Sequence, residues 1–176
     1  YDDLVSLIYE AAVDGTRWNE VPVAIARAVD LIQCSIEIHD PGTGFSKHYV
    51  PLFDPAYQRS FREHYGKFLT LAKRTERFPV GHVFDGNATL KDQYEYVRSA
   101  PYNEWWLPQG AGGASVMANL VRDGSTTAVV AGYKPFGVMT LSNKEKATFS
   151  SAVGHLVRAM TVHRRLRLAE LMPGAG

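Results

Sequence analysis

Glu37 and His39 lie two residues apart in a run, Cys34-Ser35-Ile36-Glu37-Ile38-His39, whose polarity alternates. A carboxyl and an imidazole on one side of an extended strand could act as an acid–base pair. A polar pair at a strand edge is the plainer reading. Cys34 could be a nucleophile, but alternation puts it on the face opposite His39, away from the base it would need. Its apolar neighbours favour a buried, unreactive thiol. As the single cysteine it also excludes an internal disulfide and a multi-cysteine metal cluster. The six histidines form no close pair at ligand spacing, and His155 and His163 are two helical turns apart. Gly110-Ala111-Gly112-Gly113 leads into a strand pattern and not a helix start, so close backbone packing explains it better than phosphate binding. No serine sits in a nucleophile elbow. The expectation is a protein without catalytic or metal-ligating residues and without a cofactor, not an enzyme.

The elements that must position these residues follow from periodicity. Leu4, Val5, Leu7, Ile8, Ala11 and Ala12 recur at helical spacing over 2–13. Asp14-Gly15 breaks that pattern, and Thr16 is expected to cap a second helix, about Arg17 to Leu31, with Pro22 in its first turns. Residues 34–39 read as a strand, and Asp40-Pro41-Gly42-Thr43-Gly44 as a turn. Phe45 to Val50 then returns as a second strand of a hairpin. A third helix is expected over Ala56 to Tyr65, opened by Asp54 with Pro55 at its first position. Pro79, Gly81 and Asp85-Gly86-Asn87 argue for irregular chain over 66–90. Short helices are expected at Lys91 to Ser99 and Pro101 to Leu107. Strands at Gly113 to Val121 and Thr126 to Lys134 flank Arg122-Asp123-Gly124-Ser125, which has hairpin chemistry. Ser142-Asn143-Lys144-Glu145 fits a capping box for a long helix reaching about Leu171. Such a helix is on the order of 40 Å long, so its last turns should project beyond the body.

Alternation also sorts the strand residues into two faces. One face, with Cys34, Ile36, Ile38, Ala114, Val116, Ala118, Leu120, Ala128 and Val130, is apolar and rich in small residues. It suits the first two helices and the last one. The other face mixes apolar groups with Glu37, Ser115, Asn119 and Tyr133, and the insertion 51–110 should cover it. That insertion brings Tyr57, Phe61, Tyr65, Phe68, Tyr102, Trp105 and Trp106. Aromatic groups over a sheet usually form core. Here the polar groups retained beneath them favour a small-molecule pocket. The candidate ligand-binding residues are Glu37, Tyr65, Tyr102, Trp105, Trp106, Ser115, Met117, Asn119 and Tyr133. Trp105 and Trp106 are adjacent, so both are not expected to face inward on a short helix.

The 176 residues suit one domain, and a net charge of +1 gives no global field to attract nucleic acid. The charge is uneven, with a basic excess in the second half that is strongest at His163-Arg164-Arg165-Leu166-Arg167. A solvated neck near a helix C-terminus, favoured by the helix dipole, is a better account of that run than contact with DNA. No apolar stretch approaches the roughly 20 residues of a membrane span. The expected organisation is a single domain over 1–171, with 51–110 as a mostly helical or irregular cover and 172–176 as a linker stub. The first residue is Tyr1, and the chain reads as a piece of a longer protein.

Several stretches in order carry a resemblance: Leu7-Ile8-Tyr9-Glu10-Ala11-Ala12 with Arg17-Trp18; the turn His39-Asp40-Pro41-Gly42-Thr43-Gly44; Phe78-Pro79-Val80-Gly81; Tyr102-Asn103-Glu104-Trp105-Trp106-Leu107-Pro108-Gln109-Gly110; and Leu141-Ser142 to Glu145 leading into Val153-Gly154-His155-Leu156-Val157-Arg158-Ala159. Together they resemble the amino-terminal GAF/PAS-like sensor domain of LuxR-type helix-turn-helix transcriptional regulators, over most of the chain. The resemblance implies an α+β (α/β) fold, with an antiparallel sheet between two helical layers. It implies a small-molecule ligand site over one face, a homodimer, a cytoplasmic bacterial setting, and a DNA-binding module that this chain lacks. Acyl-homoserine lactone sensors of that family hold their ligand with Trp, Tyr and Asp side chains. Trp105 or Trp106 is the candidate indole here, and no acidic residue falls opposite it. Two other readings stay open: a ligand-free dimerisation or protein-interaction module of the same fold, and a small enzyme using Glu37 and His39.

Overall fold

The computed structural model describes residues 1–65 and 71–171; Phe68 and the expected linker 172–176 lie outside them. Helix α1 (Asp2–Val13) ends at Asp14, whose carboxylate accepts hydrogen bonds from the Thr16 N–H at 3.0 Å and the Thr16 hydroxyl at 2.6 Å. The chain then makes a 3-10 turn, Gly15–Asn19, before α2 (Val21–Val29). The second helix is thus shorter than expected at both ends. Pro22 has no N–H to continue a helix from the preceding turn, so it sits in the first turn of a new one. At the other end Asp30 turns left-handed, with φ 53°, and stops α2 before Leu31.

Strands β1 (Gln33–Asp40) and β2 (Phe45–Tyr49) form the expected hairpin, with Glu37 opposite His48 and His39 opposite Ser46. Helix α3 (Pro55–Ser60), capped by Asp54, widens into a π-helical turn over Phe61–Tyr65. After α4 (Leu71–Arg74) comes β3 (Val83–Asp85), a strand inside the stretch expected to be irregular. Three residues are too few to show a period of two. A 3-10 turn (Gly86–Thr89), α5 (Gln93–Val97), a π-helical turn (Pro101–Trp106) and a 3-10 turn (Leu107–Gln109) complete the cover. Strands β4 (Ala111–Asp123) and β5 (Thr126–Pro135) pair as a long hairpin, and α6 (Asn143–Leu171) closes the chain.

The five strands lie in the order β2-β1-β5-β4-β3, each antiparallel to its neighbour. Helices cover both faces, and the fold is the α+β arrangement expected. Behind the sheet, Cys34, Ile36, Ala118, Leu120 and Val130 pack against Ile8 of α1, Ile25 of α2, and Phe149 and Leu156 of α6. Close approach explains the small residues of this face: a Cβ on Gly132 would lie 2.4 Å from the Leu31 side chain. In front of the sheet, Met117, Val129, Ala131 and Tyr133 meet Phe53, Phe84, Trp105 and Trp106 of the cover.

Helix α6 starts with the capping box: the Ser142 N–H donates to Glu145 at 2.7 Å and the Glu145 N–H donates to Ser142 Oγ at 3.2 Å. Lys134, buried at the end of β5, donates to the Asp30 carbonyl at 2.7 Å and to Glu145 Oε1 at 2.5 Å, joining α2, β5 and α6. The basic run is not the solvated neck expected. His163 is buried, edge-on to Trp18 and Phe45. Arg164 reaches Asp40 and Asp123, and Arg167 lies over the Phe45 ring. The turns beyond leave Leu166, Leu168 and Leu171 exposed.

Candidate functional site

Between the front of the sheet and the cover lies a hollow of about 470 Å³. Its floor is Ser35 and Glu37 of β1 with Tyr133 of β5; β2 and the loop after it supply Ser46, Lys47, His48 and Val50. The far wall is Phe53, Gln58, Phe61, Arg62, Trp105 and Trp106. A second hollow of about 500 Å³ shares Glu37, Ser46, His48, Phe61 and Arg62 with the first and continues to His39, Ala72, Thr127 and Val129. Both volumes fall within the range of small-molecule sites.

The wall is built from stacked rings. Trp105 stacks on Phe53 with centroids 5.4 Å apart and tilts against Phe61 at 5.2 Å. Its indole N–H is spoken for, donating to the Tyr57 carbonyl at 2.9 Å. Trp106 leans on Tyr133 at 4.3 Å, and its buried N–H meets no acceptor among the described residues. Contrary to expectation, both indoles face inward, at 3% and 5% exposure. The π-helical turn that carries them has more residues per turn than an α-helix, so consecutive side chains diverge less. They also meet each other edge to face, 4.6 Å apart.

Glu37 is the one carboxylate that the described residues bring to the walls of either hollow. It accepts no hydrogen bond and forms no ion pair among the described residues. Burial raises its pKa to about 7, partly opposed by the positive charge of Arg74. The surroundings of His48 lower its imidazole pKa, through burial first and then through the charges of Arg62 and His39. His39 approaches Ser46 Oγ at 3.4 Å, and no hydrogen bond joins it to Glu37. Cys34 is fully buried on the other face, where desolvation pushes its thiol far up and keeps it protonated. No group of three metal-capable side chains occurs among the described residues.

The nine candidate residues do not converge on one place. Glu37, Trp105, Trp106 and Tyr133 line the main hollow. Tyr102, Ser115 and Met117 line a separate hollow of about 60 Å³, which Trp106 and Tyr133 also border. There the Tyr102 hydroxyl donates to the Gly112 carbonyl at 3.2 Å, and Gly86 lies directly over Ser115. Asn119 is fully buried, and its amide donates to the carbonyls of Thr75 at 2.9 Å and Phe78 at 2.6 Å, pinning the cover to the sheet. Tyr65 points to an outer groove and donates to Glu104 at 2.7 Å. The residues absent from the expected set are chiefly those of β2, α3 and the π-helical turn after it: Ser46, Lys47, His48, Gln58, Phe61 and Arg62. The hairpin register held a signal for two of them. Ser46 and His48 stand opposite His39 and Glu37 and so share their face.

No helix among the described residues is long and apolar enough to cross a membrane. No family model matches the chain. No curated protein matches it either. Solved structures do share the fold. The VqsR LBD domain from Pseudomonas aeruginosa superimposes with a TM-score of 0.63 at 14% identity, covering 93% of this chain and 96% of that one. A domain assigned to a two-component sensor histidine kinase protein from Sinorhizobium meliloti 1021 gives 0.55 at 16% identity, over 94% and 96%. At these identities the likeness is one of fold alone.

Proposed function

We propose that this chain is a regulatory domain that senses a small molecule in the hollow between sheet and cover. One observation carries the reading: Glu37, a half-buried carboxyl without a partner among the described residues, is held among aromatic walls in a space large enough for a ligand. Core residues rarely leave such a group unsatisfied, because burying it unpaired is costly. The fold shared with the VqsR LBD domain and a sensor kinase domain supports the same reading. In its finer form the domain is the GAF/PAS-like sensor of a LuxR-type transcriptional regulator in the bacterial cytoplasm. It works as a homodimer and passes occupancy through α6 to a DNA-binding module outside this chain. It carries no catalysis of its own; Glu37 and His39 serve recognition. A ligand can drive such a device only by binding one arrangement more tightly than another.

Native mass spectrometry of the purified chain, gentle and then denaturing, tests the reading. A small molecule carried through purification and released on denaturation is the expected result. A bare chain that also gains no thermal stability across a ligand library would overturn it. The second reading, a ligand-free dimerisation module, is favoured by the exposed Leu166, Leu168 and Leu171 at the end of α6. It requires a dimer that Leu166→Glu dissolves while the hollow stays empty.

A further inference from the structure

The charges around the hollow say what kind of molecule it takes. Arg62 lines it and remains exposed, so it stands at its mouth; Lys47, exposed on the edge strand opposite Ile38, lines the rim. Neither makes an ion pair or hydrogen bond to any described residue. His48 lies beside them, and its pKa is lowered by burial first and then by the charges of Arg62 and His39. Arg62 also borders the second hollow, so the same guanidinium overlooks both. Among the described residues the only acid on these walls is Glu37, on the floor. The interior between floor and mouth is aromatic, with Phe53, Phe61 and Trp105 presenting ring faces and edges.

Resting on the ligand-pocket reading, we propose that the hollow takes a flat apolar molecule bearing one anionic group, with its rings against Phe61 and Trp105 and its anion at the mouth beside Lys47 and Arg62. Ring stacking supplies contact area, and the paired cations supply the preference for charge. A neutral molecule of the same shape would leave both cations unanswered.

Two dyes with one skeleton test this: 8-anilinonaphthalene-1-sulfonate, an anion, and N-phenyl-1-naphthylamine, its neutral counterpart. Each is titrated by fluorescence, and stoichiometry is read by native mass spectrometry. The anion should bind one molecule per chain, about tenfold tighter than the neutral dye. Lys47→Ala and Arg62→Ala, at exposed positions that leave the fold intact, should each weaken the anion by about threefold to tenfold and leave the neutral dye unchanged. Ser46→Trp, which fills the hollow from β2, should weaken both dyes. Equal affinities for the two dyes, or an anion indifferent to both charge variants, would overturn the preference for anions. The pocket would then survive, provided Ser46→Trp still displaces the neutral dye. If neither dye binds, or Ser46→Trp moves neither, the pocket reading falls together with this proposal.

Discussion

Arg164 in the last third of α6 reaches Asp40 at the end of β1, with Nε 3.2 Å from Oδ2. The same guanidinium donates to Asp123 at 2.7 Å and to Thr126 Oγ1 at 3.3 Å, while the Thr126 hydroxyl donates to Asp40 Oδ1 at 2.9 Å. One side chain thus ties the final helix to both hairpins of the sheet. Asp40 opens the turn into β2, the strand that lines the mouth of the hollow, so wall and exit helix share a fastening.

Removing that fastening should cost stability. The Asp40 side chain is only 6% exposed, so Arg164→Ala leaves its charge nearly buried with one hydroxyl partner. The expected loss is about 1–3 kcal/mol, read from urea denaturation at neutral pH. Arg164→Lys should recover only part of it, because an ammonium cannot span two carboxylates as a planar fork does. Full recovery by lysine would show that charge alone matters at this position.

Glu37 should give a pH dependence opposite to that of most carboxylates. Its folded pKa is raised to about 7 from 4.5, so the folded chain holds the proton more tightly than the unfolded chain. The stability this contributes is complete below about pH 4.5, falls as pH rises, and is gone above about pH 7, with a span of at most about 3 kcal/mol. Glu37→Gln removes the term. The variant should match the parent near pH 5 and exceed it near pH 8 in urea midpoint. A difference of equal size at both pH values would show that the carboxyl is solvated as usual.

Much of this was legible along the chain, and the failures have local causes. Period-two alternation separated Cys34, Ile36 and Ile38 from Ser35, Glu37 and His39, and the structure buries the first three in the core behind the sheet while the others line the hollows in front. Gly124 within Arg122-Asp123-Gly124-Ser125 marked the β4–β5 hairpin, and its φ of +58° shows why a glycine stands there. Strand β3 was too short to show a period. Asn119 has the right face for a ligand contact, but the chain that returns over it, 75–81, takes up its amide. That is a long-range event which no local pattern reports. His163 was hidden by its arginine neighbours, yet Leu156, Met160 and His163 fall at i, i+4 and i+7 on one helical stripe, and all three are buried.

Two glycines should respond to alanine in opposite directions. A Cβ on Gly113 would lie 2.1 Å from the Pro135 carbonyl oxygen and 2.6 Å from that of Val138, both backbone atoms that cannot step aside. Gly113→Ala should therefore cost on the order of 3 kcal/mol or more, or leave the chain insoluble. Gly154, inside α6, has nothing within 4 Å of the same position. Gly154→Ala should raise stability by about 0.5–1 kcal/mol through helix propensity. Both are read from thermal or urea unfolding, and a loss at Gly154 would point to an α6 surface that must stay bare for a partner.

Glu145 should behave as the mirror image of Glu37. Its pKa is lowered to about 2, first by the hydrogen bond from Lys134 and then by those from the Ser142 backbone and side chain. A depressed carboxyl contributes stability above its unfolded pKa of 4.5 and loses it as pH falls toward 2. Glu145→Gln should therefore be less stable than the parent at pH 6, with the gap closing as the pH approaches 2. Lys134 follows Tyr133, the floor of the hollow, and its contact with Glu145 anchors the start of α6 to that strand. If the anchor helps to hold α6 in one position, Glu145→Gln should also speed hydrogen exchange in the first turns of α6 at pH 6 while leaving the turns around His163 protected. Uniform exchange along the helix in both proteins would show that the capping box and the packing of Phe149 hold the helix start without Lys134.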